Sequence, residues 1–368
     1  MQPDARFTAL PSLPRRLDVA RAHRERGGLV AAVLPIHYPR ALLRAFGILP
    51  IEVWGPPRVD AARGASRLQP YVCSIVRNAL SYLESGGLQV ADLLIVPHAC
   101  DSLQGLGSLL IDFVHPPQPV LPLYLPRQPG VEGKEFLADE LRALHQRLEE
   151  VTQRTPSADD LQQAILDEEA ADDLLRRVHE RHATLPLMTF DFYRLVRARE
   201  FLPLDSFVSL ARVILAMPEA ECSPKVPILL SGIVPEPMAI LQAVDELGAS
   251  VVADDLACCG RRLYPAGTSH DPFTRMAESL LGGPPDSTRE SPIQARLDHL
   301  LGMARSGGAR GVVFYDVKFC EPELFDLPEL RRGLREAGLP SIAMEVDLND
   351  PLSHQVRTRL EAFLEMIA

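Results

Sequence analysis

The sequence predicts an α/β protein in which two parallel-sheet regions flank a helical segment. Between residues 29 and 126, short apolar runs bounded by Pro or Gly alternate with helical patterns. Residues 133 to 216 show helical spacing alone, and the alternation returns from about residue 222. Strands that alternate with helices are typical of parallel sheets with right-handed crossover connections. We therefore expect two α/β domains joined by a helical connector.

A helical lead-in is expected over residues 1–28, followed by the first α/β domain over residues 29–127. Helices of this domain are predicted at about 39–46, 70–85 and 101–112, between runs that have the length and composition of buried strands. The predicted strands are "LVAAVLP", "ILPIEVW", "LLIVP" and "PVLPLYLP".

The connector is predicted over residues 128–220 and consists of amphipathic helices. Ser157 and Asp160 have the spacing of a capping box at a helix start, with Asp in the place of the usual Glu. The helical segments are "EFLADELRALHQRLEEVTQR", "SADDLQQAILDEEAADDLLRRVHERH" and "PLDSFVSLARVILAM".

The second α/β domain is predicted over residues 221–368. One helix is expected from Pro237 to Leu247, two more before Arg305, one between the last two strands and one at the end. The predicted strands are "VPILLSG", "ASVVAD", "GVVFYDV" and "SIAMEVD". Because both regions repeat the same alternation, we expect two copies of one architecture.

Composition excludes several classes of protein. The formal net charge of -11 argues against nucleic acid or an anionic membrane as a partner. No apolar run has the length of a signal sequence or a membrane span, so we expect a soluble, cytoplasmic protein. Six cysteines in 368 residues are too sparse for a disulfide framework and are typical of a reducing compartment.

Several cysteines follow predicted strands. In open α/β sheets, ligands and chemistry collect beyond the carboxyl ends of the strands. Cys100 follows "LLIVPHA", Cys320 follows "GVVFYDVKF", and Cys258 and Cys259 follow "SVVADDLA". Cys73 lies near the start of a predicted helix. These positions make the thiols candidates for chemistry, whereas Cys222 precedes its strand and is expected at the opposite end.

The residues alone leave three interpretations of these thiols open. Each could be a small buried side chain, a nucleophile or a metal ligand. The cysteines do not form CxxC pairs, which argues against a structural zinc site. Thiolates from distant loops can, however, hold an iron-sulfur cluster between two domains.

The chain resembles the 2-hydroxyacyl-CoA dehydratase and benzoyl-CoA reductase family, the iron-sulfur subunits of ATP-activated radical enzymes. The resemblance covers nearly all of the chain from about residue 29 and includes the surroundings of several cysteines. The matching segments are "ILPIEVWG", "LQPYVCSIVRNAL", "LLIVPHACDSLQGL", "ILLSGIVPEPMAILQAVDELGASVVADDL", "GVVFYDVKFCEPELFDLPELRRGLREAGLPSIAMEVD" and "QVRTRLEAF".

The resemblance implies a cofactor and its ligands. The three thiolates that bind a 4Fe-4S cluster in this family correspond to Cys73, Cys100 and Cys320. The implied fold is two Rossmann-like or flavodoxin-like domains that face each other across the cluster. In the catalytic subunits of the family, the iron position without a protein ligand takes water or hydroxide and then the substrate thioester oxygen.

The implied activity is that of a lyase that dehydrates an (R)-2-hydroxyacyl-CoA under anaerobic conditions. A separate ATP-hydrolysing iron-sulfur activator injects one electron, and a ketyl radical anion at the thioester expels the α-hydroxyl group. The implied partners are the acyl-CoA substrate, the activator, and a second family subunit in a heterodimer or a second copy in a homodimer.

The chain also departs from the family pattern at positions of direct acid or base chemistry. Catalytic subunits often carry Ser after the first strand and a carboxylate after the second, where this chain has His37 and Trp54 in roughly those places. His37, Trp54 and His98 are therefore only weak candidates for catalytic residues. For His98 the alternative roles are a hydrogen bond to the cluster or substrate and a purely structural one, whereas Asp101 is expected to cap the following helix.

Cys258 and Cys259 lie in a second departure, "DDLACCGRR", in which alignment through the flanking residues puts Ala257 at the usual cysteine. Three interpretations remain for the pair: loop residues near the cluster, a fourth cluster ligand, or part of a double-cubane assembly. A double cubane is the less favoured cofactor because the chain has only six cysteines.

Three functions remain as hypotheses. The first is the iron-sulfur subunit of an (R)-2-hydroxyacyl-CoA dehydratase. The second is a subunit of a benzoyl-CoA reductase-like or double-cubane reductase. The third is an accessory subunit that relays electrons or scaffolds a partner, which the departures at His37 and Trp54 favour.

Overall fold

Two four-stranded parallel sheets form the framework of the protein. The computed structural model describes residues 10–57, 59–127, 130–219 and 225–368. The first sheet has the order β2-β1-β3-β4 and the second the order β6-β5-β7-β8. The strands are β1 (Leu29–Val33), β2 (Ile48–Glu52), β3 (Leu93–His98), β4 (Val120–Tyr124), β5 (Val226–Gly232), β6 (Ala249–Leu256), β7 (Gly311–Val317) and β8 (Ser341–Val346). The predicted α/β fold class is confirmed.

Helices surround and connect the sheets. With the first sheet are α1 (Arg16–Glu25), α2 (Arg40–Ala45), α3 (Ala62–Ala65), α4 (Ser74–Glu84) and α5 (Asp101–Leu109). Between β4 and β5 along the chain are α6 (Val131–Thr152), α7 (Ala158–Glu180), α8 (Thr189–Ala198) and α9 (Leu204–Leu215). From β5 onward along the chain are α10 (Ala239–Glu246), α11 (Pro272–Leu281), α12 (Ile293–Gly307), α13 (Glu321–Glu336) and α14 (His354–Ile367).

The two sheets have the same strand order relative to their own sequence. In each, the first strand lies between the second and the third, so the direction of winding reverses beside the first strand. Such a reversal opens a crevice at the carboxyl ends of the two central strands. These strands are β1 and β3 in the first sheet and β5 and β7 in the second, which bears out the expected repetition of one architecture.

The elements agree with the sequence patterns in type and differ at several ends. The predicted helix at 101–112 ends at Leu109 and continues as a π-helical turn, Leu110–Val114. Helix α8 was not predicted as a separate element. At the start of α7, Ser157 accepts a hydrogen bond from the Asp160 amide, and the Asp160 carboxylate accepts one from the Ser157 amide. The predicted capping box is therefore confirmed.

One apolar core runs between the two sheets. Alternate residues of a strand face opposite sides of its sheet. Val30 and Ala32 of β1 pack in the same core as Leu230 of β5 and Val313 of β7. Two smaller cores cover the outer faces of the sheets. Among the described residues, no helix combines the length and the apolar character of a membrane span.

A buried carboxylate joins the two α/β domains. Glu52, the last residue of β2, is 1% exposed. Its carboxylate accepts hydrogen bonds from both terminal nitrogens of Arg262, at 2.5 and 2.6 Å, and from Arg40 at 2.5 Å. Tyr38 Oη and Trp54 Nε1 donate at 2.8 and 2.9 Å. Because Arg262 follows β6, this ion pair holds the carboxyl-terminal loops of the two sheets together.

Glu52→Gln is expected to lower the free energy of unfolding by about 3–5 kcal/mol, because it leaves buried guanidinium groups without their anion. Urea denaturation followed by circular dichroism measures the change. Glu329→Gln, which removes the carboxylate of an exposed ion pair with Arg332, is the control and should change stability by less than about 0.5 kcal/mol. Equal losses in the two variants would contradict a joining role for Glu52.

Candidate metal centre

Three cysteines occupy the same kind of position, the residue that caps a helix. Cys73 precedes α4, Cys100 precedes α5 and Cys320 precedes α13. The first amides of a helix lack intrahelical partners and carry a partial positive charge that favours an anion. Accordingly, backbone amides at the helix starts lower the pKa of each thiol, although burial has the larger, opposite effect on each.

The three thiols are also close enough to influence one another. Burial raises the pKa of Cys100 to about 12, and the charge of Cys73 adds to this effect. Burial likewise raises the pKa of Cys320, and both other thiols raise it further. Charged thiolates are therefore unfavourable here without a compensating cation. A soft cationic centre with several thiolate ligands would offset both the cost of burying each charged thiolate and the repulsion between thiolates. The donor set therefore fits an iron-sulfur cluster.

A site for a single metal ion needs several ligand side chains close together. Within the described ranges, no group of three His, Cys, Asp or Glu side chains is arranged to hold one ion. A cluster is wider than an ion, and its thiolate ligands stand further apart.

Cys100 and Cys320 are equivalent in the two domains. Each follows the third strand of its sheet, where the winding direction reverses. The residue before Cys320, Phe319, has a left-handed backbone with φ of 61°. This backbone conformation is uncommon for a residue with a bulky side chain, and residues held in it often lie at functional sites. At Phe319 the chain turns from β7 into α13, which places Cys320 at the start of the helix.

A cavity of about 390 Å³ opens beside Cys100. Its walls are the loops after β3 and β4, residues 287–293, and the first turns of α13. Carboxylates and guanidinium groups share this lining, and Arg127 pairs with Asp101 at 3.0 Å and also with Glu290. The cavity therefore lies between the two domains and borders one of the three thiols.

His98 lines the same cavity. Burial lowers the pKa of its imidazole. Both ring nitrogens are buried without a hydrogen-bond partner in the described part of the chain. The ring packs edge-on against that of Tyr124, with 4.6 Å between the ring centroids. A Cβ atom at Gly107 would lie 2.8 Å from Nε2, so a glycine at that position gives the ring its space. His98 is thus the one weak candidate that shares a cavity with a candidate ligand.

His37 and Trp54 lie elsewhere. His37 is 1% exposed, and its ring nitrogens contact the hydroxyls of Tyr264 and Thr288 at 3.0 and 3.1 Å. Trp54 donates its indole proton to Glu52 and lines a separate cavity of about 390 Å³. His37 thus contacts the other domain directly, whereas Trp54 bonds a carboxylate of its own domain that in turn pairs with Arg262.

Cys258 and Cys259 form a buried pair of free thiols with their sulfur atoms 3.3 Å apart. Burial raises the pKa of both, and among nearby charges Asp254 raises them while Arg197 lowers them. The charges that act on the three capping cysteines are different ones. Cys222 lies outside the described residues.

One expectation for this region was wrong. Asp101 does not cap α5: it is the first residue of the helix, and Cys100 occupies the capping position. The Asp101 side chain is exposed and bonds Arg127 instead. The error has a local cause, because Cys is an unusual capping residue and Asp is a common one.

Sequence reasoning missed a buried ionic network under the N-terminus of α13. Arg261 donates to both carboxylate oxygens of Asp255, at 3.0 and 2.9 Å, and also bonds Glu323. Arg296 donates to Glu323 at 3.0 Å. Glu323 lies three residues after Cys320, so the network anchors the helix that this cysteine caps. The only sequence signal was that spacing, which is typical of an acidic residue in the first turn of a helix.

Comparison with protein families gives one match over most of the chain. Residues 35–367 match the family model described as 2-hydroxyglutaryl-CoA dehydratase, D-component. The matched region includes every strand of both sheets except β1, which ends just before it, and it includes all three capping cysteines.

Curated relatives of similar length agree with this match. The chain is 26% identical to lactoyl-CoA dehydratase subunit beta of Anaerotignum propionicum, over 93% of each chain. It is 24% identical to the (R)-phenyllactyl-CoA dehydratase beta subunit of Clostridium sporogenes, over 94% of each chain. It is also 24% identical to a benzoyl-CoA reductase subunit of Thauera aromatica, over 92% of this chain and 90% of that protein.

Buried His37 is expected to make the protein less stable in mild acid. Burial lowers its pKa from 6.5 to about 3; Asp286 opposes this shift, and Arg289 and Arg261 add to it. Between these pH values the unfolded chain binds a proton that the folded chain does not, so stability falls as the pH drops from 6.5 toward 3. For this one residue the slope approaches about 1.4 kcal/mol per pH unit.

Urea denaturation of wild type and His37→Gln at pH 7.5 and pH 5 tests this expectation. The loss of stability between the two pH values should be smaller in His37→Gln. His354→Gln, which changes an exposed histidine, should keep the wild-type difference. If His37→Gln lost as much stability between pH 7.5 and pH 5 as the wild type does, the assignment of this pH dependence to His37 would be refuted.

Proposed function

Because the chain belongs to the 2-hydroxyglutaryl-CoA dehydratase D-component family, we propose that it is the iron-sulfur subunit of an ATP-activated (R)-2-hydroxyacyl-CoA dehydratase, a lyase. The observation that carries the proposal is the position of three cysteines at helix starts, where Cys73 raises the pKa of Cys100 and both raise that of Cys320, together with a cavity between the domains that Cys100 lines. Relatives named as dehydratase beta subunits support the same class of reaction.

Cys73, Cys100 and Cys320 would hold a 4Fe-4S cluster. Each thiolate would be stabilised by the positive end of the helix that it caps, as well as by the iron. When bound, the cluster would pass a single electron, received from an ATP-dependent activator, to the substrate thioester, which would then lose its α-hydroxyl group as hydroxide, lose a β-proton and return the electron.

The cavity beside Cys100 would take the acyl group. The cavity is lined by both domains, so a thioester bound there would contact side chains of each. His98 borders both the cavity and the cysteine, and its ring nitrogens have no hydrogen-bond partner among the described residues. We assign it a hydrogen bond to the bound acyl group or to a cluster sulfide.

A partner subunit completes the proposed enzyme. Each of these relatives is named as one subunit of its enzyme, so each works with at least one other chain. His37 and Trp54 are engaged in internal hydrogen bonds and are poorly placed for acid or base work on a substrate. We therefore propose that the second family member supplies such groups and that this chain contributes mainly the cluster.

A second candidate function is that of a subunit in a benzoyl-CoA reductase-like enzyme. The similarity to the benzoyl-CoA reductase subunit of Thauera aromatica, at the same level of identity as to one dehydratase subunit, favours it. The two candidates share the cluster and differ in the acyl-CoA that the assembled enzyme converts.

The first test is iron binding. Protein purified without oxygen should be brown and contain about four irons per chain. Cys73→Ser, Cys100→Ser and Cys320→Ser should each lose most of the iron and the visible absorbance. Cys258→Ser, a change of a buried thiol outside the group of three, is the matched control and should keep both. Full iron content in the three variants would refute the ligand assignment.

The second test is activity of the assembled enzyme. The chain, co-expressed with a second family member and supplied with the activator and ATP, should dehydrate at least one (R)-2-hydroxyacyl-CoA in an anaerobic assay over a panel of thioesters. Activity should disappear when ATP is omitted and in Cys100→Ser. Reduction of benzoyl-CoA without dehydration of any 2-hydroxyacyl-CoA would instead establish the second candidate.

A further inference from the structure

A short turn follows the last strand of the second sheet. Asp347, Leu348 and Asn349, here called the DLN turn, come directly after Val346, the end of β8. The Asp347 side chain accepts a hydrogen bond from the Asn349 amide at 3.0 Å, and the Asp347 carbonyl accepts one from Asp350 at 3.2 Å. This pattern fixes the turn by a side chain that bonds the backbone two residues on.

The DLN turn contacts the first two turns of α4, in the other domain. Ser74 Oγ accepts a hydrogen bond from the Leu348 amide at 3.2 Å. Arg77 pairs with the Asp347 carboxylate at 2.8 Å. Ser74, Arg77 and Asn78 are spaced by three and four residues and therefore lie on one face of the helix. This face begins one residue after Cys73.

Asn78 and Asn349 form a reciprocal amide pair. The Asn78 side-chain nitrogen donates to the Asn349 oxygen at 3.0 Å, and the Asn349 nitrogen donates to the Asn78 oxygen at 2.9 Å. Asn78 is fully buried and also donates to the Pro56 carbonyl at 3.2 Å. Loss of either side chain would remove both of these hydrogen bonds, one of which satisfies the buried oxygen of Asn78, so the pair is sensitive to substitution.

The other side of the DLN turn is tied to the loop that carries Cys320. The Lys318 amide donates to the Val346 carbonyl at 2.8 Å. Val346 immediately precedes the DLN turn, and Lys318 lies two residues before Cys320. Short backbone segments and two hydrogen bonds thus connect Cys320 through the DLN turn to Cys73, although these cysteines belong to different domains.

We propose that the DLN turn positions Cys73 relative to Cys320 and so sets the geometry of the candidate cluster site. This inference rests on the proposed function, because it concerns ligands of the same cluster. Asn78, Asp347 and Asn349 act through the cysteines and are positioning residues. Groups that orient metal ligands without touching the metal affect metal retention strongly, with losses of about 10- to 100-fold in affinity when they are removed.

A variant that only lowers the stability of the protein can be distinguished from one that displaces Cys73 by means of a control. Thr189 ties α8 to α10 through a hydrogen bond from its hydroxyl to Asp245 at 2.9 Å, and it is buried, as Asn78 is. Thr189→Val removes a buried contact between elements away from the three cysteines. It therefore serves as the matched control for Asn78→Ala and Asn349→Ala.

The experiment uses the full chain with its cluster, purified without oxygen. Iron release to a chelator is timed by absorbance, the reduced cluster is examined by electron paramagnetic resonance, and urea denaturation reports stability. Asn78→Ala and Asn349→Ala should each release iron about tenfold faster than wild type and change the resonance spectrum. The double variant should be little faster than either single variant, because the two amides act as one unit.

Two further variants complete the test. Asp347→Asn replaces one of the two carboxylate oxygens that accept from the Asn349 amide and from Arg77 with an NH2 donor, so it should release iron faster than wild type. Thr189→Val should release iron at nearly the wild-type rate while losing stability.

Wild-type release rates and spectra in both Asn variants would overturn the positioning role, and so would equally fast release in Thr189→Val. A wild-type chain that holds no iron would overturn the proposed function and this inference with it.

Discussion

The carboxylate of Glu52 is the point on which the arrangement of the two domains depends. It ends a strand of the first sheet, and Arg262, which bonds both of its oxygens, follows a strand of the second. A buried carboxylate is tolerated only when charged donors surround it, and here two guanidinium groups do so. The pair therefore requires the carboxyl-terminal loops of both sheets to meet, which is where open parallel sheets place their functional groups.

Once these loops meet, the shared strand order decides which side chains converge. Cys100 and Cys320 follow corresponding strands, so facing domains bring corresponding loops together. Cys73 lies in the connection between β2 and β3 and begins a helix there, whereas the corresponding connection of the second domain, between β6 and β7, carries the buried pair Cys258 and Cys259. The candidate site is thus nearly symmetric in two of its ligands and asymmetric in the third, and the buried network at Arg261 and Glu323 supports one side of it.

Local patterns in the sequence were enough for the type and order of most elements and for the capping box at Ser157. They also placed Cys100 and Cys320 after strands, and the family resemblance added Cys73 as a third ligand. The roles of His37 and Trp54 as domain contacts were not predictable, because their partners lie far along the chain or in long-range networks. The same reason hid the pairing of Asn78 with Asn349, since periodicity reports which face of a helix is buried and not what covers it.

The wide separation of the capping cysteines along the chain also has a thermodynamic consequence. A cofactor held by Cys73, Cys100 and Cys320 would close loops that include most of the protein, and loop closure removes conformational freedom from the unfolded state. Ligands that bind only the folded form add their binding free energy to its stability. Cluster loading and cohesion of the two domains would therefore be linked, so oxidative loss of the cluster would also loosen the seam between the sheets.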